Sequence, residues 1–270
     1  MTDQHPFLMH ALLSLTLMHD RYLSTELNTK LSTTEAFHWY QGIALFNRKL
    51  SGPIQPSERD ALWATAVFLG TIAFFYIEAK TPEEAWPLKP PSSLDLSWLR
   101  MSDGKKEIWK IAQPLRADSV FQALALENTN FLPTSSTGPG IEALPSEFIE
   151  LYGLDATSTA DNNPYYIAAS SLAQSLNIDS NLSIILNFLS FISYMRPDYK
   201  RLLERKDPRA LLLLAYWYAK VCQCQRWWIW RRTALECQAI CIYLERYHRH
   251  ETSIQKLLQF PSMVCGIDAR

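Results

Sequence analysis

Glycine is scarce in this sequence, 8 residues in 270, and no stretch alternates polar and apolar residues over the length of a strand. Sheets consume glycine at turns and bulges and need that alternation on a half-buried face, so both shortages argue against β structure and predict an all-α fold. Charge of one sign is lacking too: 26 Lys and Arg stand against 27 Asp and Glu, a net charge of -1. Nucleic acid and anionic membrane surfaces call for concentrated positive charge, so no direct nucleic-acid contact is expected. The short patterns of common chemistries are absent as well. There is no Gly-x-Ser-x-Gly elbow, no glycine-rich phosphate loop and no His-Glu-x-x-His. The five cysteines are an odd number in a chain long enough to need no staples, which predicts reduced thiols in a cytoplasmic or nuclear setting. At the N-terminus His5, His10, Asp20 and Arg21 interrupt the apolar face, so no secretory leader is expected.

What is present is helical. The chain from Asp207 to Tyr247 organises the rest. Asp207 is a helix cap, Pro208 suits a first turn, and Ala210 to Val221 is apolar on nearly every face, the mark of a buried helix. After Trp227, Trp228 and Trp230 a second helix follows. There Leu235, Ala239, Ile242 and Leu244 recur at helical spacing, while Arg231, Arg232, Glu236, Glu245 and Arg246 take polar positions. The pair predicts a long buried C-terminal helical hairpin.

Upstream, apolar spacing predicts helices over 6–24, 34–50, 59–79, 96–112, 164–176, 182–195 and 197–204. Ser57 and Asp60 resemble a capping box for the third of these, with Asp in the Glu position. The four prolines in 81–97 predict a short helical turn and then loop. One long loop, 127–163, is broken by a short helix near 148–151 and reads as a lid. Ala61 to Ile77 approaches membrane-spanning length, but a central core helix explains the same letters, so no membrane span is expected. No repeat and no composition shift divides residues 1–270, which predicts a single domain.

Four stretches, taken together and in this order, carry a resemblance: HPFLMHALLSL from His5, HWYQGIALFN from His38, LSWLRMSDG from Leu96, and DPRALLLLAYWYA from Asp207 with Trp227-Trp228 after it. They resemble the C-terminal regulatory domain of fungal zinc-cluster transcription factors of the sterol uptake control type. The resemblance implies an all-α domain, often a homodimer, with an apolar ligand such as ergosterol in a helical pocket. It also implies a nuclear and cytoplasmic partition governed by that ligand. The family's six-cysteine zinc cluster is absent from these residues, and the tail after Tyr247 lacks a tryptophan-rich closing pattern, so DNA recognition is not carried over. The chain is then either the effector domain of a regulator or a stand-alone relative.

Each candidate chemistry has a plainer alternative. Cys237 and Cys241 lie one helical turn apart, a spacing zinc accepts together with Cys222 and Cys224, but buried thiols are common packing residues and no metal is expected. Glu245 and His248 form a single Glu-x-x-His, where di-iron bundles use two. Arg226, Arg231 and Arg232 interleave with the tryptophans; the reading taken is a packed hairpin corner with solvated arginines. His10 and His19 fall on different faces of the first helix, as core or rim histidines.

The functional signal is diffuse. Trp63, Phe68, Ile72 and Phe75 on the third helix, Phe191 and Met195 near the helix at 182–195, and Tyr216 and Trp217 on the hairpin are candidate walls of a ligand pocket. The small residues Ala64, Gly70 and Ala73 leave room beside them, and His19, Tyr194 or Tyr216 are candidate polar contacts. Three functions are compatible with this pattern. One is a regulatory domain sensing a hydrophobic, sterol-like small molecule. Another is a cofactor-free enzyme that cyclises or isomerises a hydrophobic metabolite, with His19 or an aspartate as its acid or base. The third is an interaction scaffold with a filled core.

Overall fold

A computed structural model describes residues 4–24, 30–123, 140–176 and 181–266, excluding the side chains of 181–183, 186, 187, 190 and 194. Among the described residues every regular element is helical, as the glycine shortage predicts. The helices gather into two compact units. Residues 4–78, 97–123 and 227–229 make the first, and 79–96, 140–226 and 230–266 the second.

Four helices build the first unit: α1 (Pro6–Leu23), α2 (Thr33–Leu50), α3 (Arg59–Phe75) and α4 (Ser97–Ala112). Pro6 opens α1, where a missing N–H costs nothing, and Phe7, Leu8, Ala11, Ser14 and Met18 form its buried stripe. Ser32 caps α2 with a reciprocal box that the letters Ser-Thr-Thr-Glu announce. Its Oγ accepts from the Glu35 amide at 3.1 Å and the Glu35 carboxylate accepts from the Ser32 amide at 2.6 Å. The same carboxylate takes the Arg21 guanidinium at 2.7 Å, pinning α1 to α2. Gly42 allows the two backbones to approach, since a Cβ there would stand 3.3 Å from the Ala11 nitrogen.

α3 is the unit's centre. Ala61, Leu62, Thr65, Ala66, Leu69 and Ile72 are buried, which accounts for the long apolar run. No helix among the described residues is long and apolar enough to cross a membrane. Two expectations at its ends need correction. Asp60 caps nothing: its carboxylate instead takes the Ser119 hydroxyl at 2.8 Å, the Val120 amide at 3.0 Å and the Arg116 guanidinium at 2.7 Å. At the other end α3 stops at Phe75 rather than 79, because Tyr76 turns extended, packs its ring on Trp39 and donates its hydroxyl to Glu78.

The second unit carries a 3₁₀ turn (Pro82–Glu84), then α5 (Ser146–Tyr152), α6 (Tyr166–Leu176), α7 (Asn181–Tyr194), α8 (Pro197–Glu204), α9 (Pro208–Cys222), α10 (Trp230–Tyr247) and α11 (Thr252–Val264). Asp207 caps α9 as expected, accepting from the Ala210 amide at 2.9 Å, and every residue from Ala210 to Cys222 is buried. At roughly 1.5–3 kcal/mol for each large side chain withdrawn from water, α9 is the element around which the unit condenses. The hairpin partner α10 is fastened by a buried polar group: the Tyr218 hydroxyl donates to Glu236 at 2.6 Å, and Arg232 pairs with the same carboxylate at 2.5 Å. Arg231 donates to the Ala79 carbonyl at 2.9 Å, so neither arginine is merely solvated.

α11 is a helix that the sequence reading leaves out, and Pro261 lies within it. Proline removes the amide that would bond the carbonyl four residues back, here Leu257. The Tyr216 hydroxyl supplies the missing donor, 2.7 Å from that carbonyl oxygen. Of the expected lid at 127–163, residues up to 139 lie outside the described residues. From 140 onward the chain forms a 3₁₀ turn, α5 and a path tied by its own side chains. Asp155 accepts from the Thr157 amide at 2.8 Å, and Asn163 donates to the Tyr152 carbonyl at 2.9 Å.

Candidate functional site

The candidate site is an apolar crevice in the second unit, lined by Pro164, Ile167, Ala168, Phe191, Met195, Arg196 and Tyr199. Pro164 leads into α6 and Ile167 and Ala168 sit in its first turn. Phe191 and Met195 come from the end of α7, and Tyr199 from α8, whose first turn Pro197 sets. Phe191 stacks on Trp217 of α9, centroids 4.9 Å apart and planes 14° from parallel, and meets Tyr199 edge-on at 6.3 Å. The Trp217 ring on which Phe191 stacks carries an indole N–H that is buried and has no acceptor among the described residues. The crevice rim is polar, with the Arg196 guanidinium 3.2 Å from Asp161 and 3.7 Å from Asp198. Counted out to open solvent the crevice holds about 190 Å³, and its depth does not admit a water molecule.

Tyrosines brace the α9 end of this region. Tyr199 donates to the Ala210 carbonyl at 2.9 Å, Tyr165 to the Asp207 carboxylate at 3.0 Å and Tyr152 to the Arg209 carbonyl at 2.9 Å. Burial pushes the pKa of each hydroxyl well above its ordinary value, with neighbouring Asp207 adding to the effect. They stay protonated and serve as hydrogen-bond donors, not acid–base groups.

The expected site residues fall in different surroundings. Phe191 and Met195 meet in the crevice with Trp217 behind them. Tyr216 does not line it; its ring lies between Phe148 and Phe260, and its hydroxyl is committed to Leu257. The Tyr194 side chain lies outside the described residues. Trp63, Phe68, Ile72 and Phe75 belong to the core of the first unit, where Trp63 packs edge-on to Trp109 and Phe75 edge-on to Trp227. The notch expected at Gly70 is filled by the aliphatic stem of Lys105, and burial lowers that amine's pKa. His19 packs on Trp227, centroids 4.8 Å apart, and makes no hydrogen bond among the described residues. His10 instead meets His38, with ring nitrogens 2.8 Å apart.

Ile167, Ala168, Arg196 and Tyr199 were missed by the sequence reading. Only Tyr199 left a signal, paired with Leu203 on the apolar side of a short charged helix. Among the described residues no group of three or more His, Cys, Asp or Glu is arranged to hold a metal ion. No family model, curated protein or solved structure matches the chain.

Proposed function

We propose that this chain is a regulatory domain of the fungal zinc-cluster regulator kind that senses a hydrophobic molecule with one polar end, such as a sterol, at the Phe191–Met195–Tyr199 crevice. The observation that carries this reading is the apolar crevice whose wall residue Phe191 stacks on Trp217, an indole with an unbonded buried N–H. An orphaned buried donor costs about 1–3 kcal/mol, which a ligand hydroxyl or carbonyl oxygen would recover. Apolar walls add roughly 25 cal/mol for each Å² they bury. The closed crevice has no room for even a water-sized molecule, against the ~300–1,000 Å³ of a ligand pocket. Binding therefore requires α6 to part from the α7–α8 corner, and that movement is what would report occupancy.

The test is a thermal melt with and without ergosterol, beside mass spectrometry of what co-purifies from a fungal host. At a ligand concentration of about 100 Kd the gain is about 2.7 kcal/mol, a rise of several degrees in Tm. Met195→Trp, which fills the crevice, abolishes the rise while the variant still melts cooperatively. An empty protein with no sterol-dependent shift refutes the reading. That outcome would favour an interaction scaffold, for which the exposed Leu12, Leu13, Tyr22 and Leu23 of α1 and Phe37 and Tyr40 of α2 are the supporting observation. For the enzymatic alternative, His19 makes no hydrogen bond among the described residues that would orient it as a base.

A further inference from the structure

All five cysteines are free and buried, but they are not equivalent. Cys222 is the last residue of α9 and Cys265 directly follows α11. Their sulfurs lie 3.7 Å apart, while the residues are separated by 43 positions in sequence. We propose that Cys222 and Cys265 form an oxidant-responsive dithiol, converted by a hydroperoxide to a disulfide that locks α11 onto the end of α9.

The sulfurs need to close by about 1.7 Å, from contact to the ~2.05 Å of a disulfide. Both side chains stand at helix ends, where a small rotation supplies such a movement without disturbing the interior of α9. The thiols also differ in readiness. Hydrogen bonds from Cys222 and Cys237 hold Cys265 well below the ordinary thiol value, against the effect of burial. Cys222 is pushed up, through its bond to Cys265 and then by burial, and Cys237 is pushed up by burial. Cys265 is thus the thiolate that attacks and Cys222 the thiol that resolves.

In the first step the Cys265 sulfur breaks the peroxide O–O bond, forming a sulfenic acid and releasing hydroxide. In the second the Cys222 sulfur displaces the sulfenic OH, which leaves as water with the Cys222 proton, while the hydroxide of the first step takes up the proton that Cys265 gave up. Overall two thiols and one hydrogen peroxide give one disulfide and two waters, with two electrons passing from sulfur to oxygen. Each residue is 7% exposed, so a molecule as small as hydrogen peroxide is suited to the first step and a bulky disulfide reagent is not.

The test uses the full chain. It is treated with hydrogen peroxide, unfolded in an alkylating agent and mapped by mass spectrometry without reduction. The expected product has lost two hydrogens and yields a Cys222–Cys265 cross-linked peptide that dithiothreitol dissolves. Amide exchange across 252–266 slows by about tenfold or more in the oxidised form, because α11 can no longer open alone. Cys222→Ser and Cys265→Ser each abolish the cross-link, whereas Cys224→Ser and Cys241→Ser retain it. If a serine variant fails to fold, the peptide map of the unmutated chain decides. Cys265 joined to Cys237, sulfinic acid on Cys265 without a cross-link, or five alkylatable thiols after peroxide would each overturn the proposal.

Discussion

Removing one hydroxyl tests how α11 accommodates its proline. In Tyr216→Phe the ring keeps its place between Phe148 and Phe260, but the Leu257 carbonyl loses its donor. Pro261 has no amide to replace it, and Leu257 is buried, so a carbonyl oxygen is left without a protein partner. An unsatisfied buried acceptor costs about 1–3 kcal/mol, and the substitution should lower stability by that amount in urea unfolding with an unchanged m-value. The decisive measurement is the double-mutant cycle with Pro261→Ala. Alanine restores an amide four residues after Leu257, so in that background the carbonyl has an intrahelical donor. There the loss on Tyr216→Phe should shrink to about 0.5–1 kcal/mol, a coupling of about 1 kcal/mol. An equal loss in both backgrounds, or one below about 0.5 kcal/mol in the parent, refutes the compensation.

Three further predictions concern the first unit. Asp60→Asn removes the charge opposite Arg116 and should cost about 2–3 kcal/mol at neutral pH. Burial raises the pKa of the Asp60 carboxyl, but the Val120 amide, the Ser119 hydroxyl and Arg116 outweigh it and hold the folded value below the ordinary one. Its stabilisation is therefore complete above the ordinary carboxyl range and fades as pH falls through the depressed folded value, so parent and variant should converge in acid; a gap independent of pH contradicts this. Gly104→Ala, within α4 and with nothing within 4 Å of its Cβ position, should raise stability by about 0.5–1 kcal/mol. Gly42→Ala, facing the α1 backbone, should lower it by about 1–3 kcal/mol, and the opposite signs are read directly from the two Tm values.

The helical class, the cap at Asp207 and the burial of Ala210 to Val221 were legible in the sequence because each is local. Capping chemistry spans a few residues, and an unbroken apolar run has only one way to avoid water. The helices near 6–23, 33–50, 97–112, 181–194 and 197–204 follow from the same periodicity. Periodicity says which face is buried but not what it meets. Trp63, Phe68, Ile72 and Phe75 have the same apolar character as Phe191, Met195 and Trp217, yet the first group fills one unit and the second belongs to the other.

What tertiary structure alone decided are the contacts between residues distant in sequence. Asp60 reads as a cap until Ser119 and Val120, 59 and 60 residues on, take its oxygens. The Leu257 carbonyl, deprived of an amide by Pro261, is satisfied by the Tyr216 hydroxyl 41 residues before it. Cys222 and Cys265, 43 residues apart, become a pair only once α9 and α11 lie together. The physical reason is common to all three: a polar side chain pairs with whichever complementary group stands within contact, and which group stands there is set by the packing of whole helices.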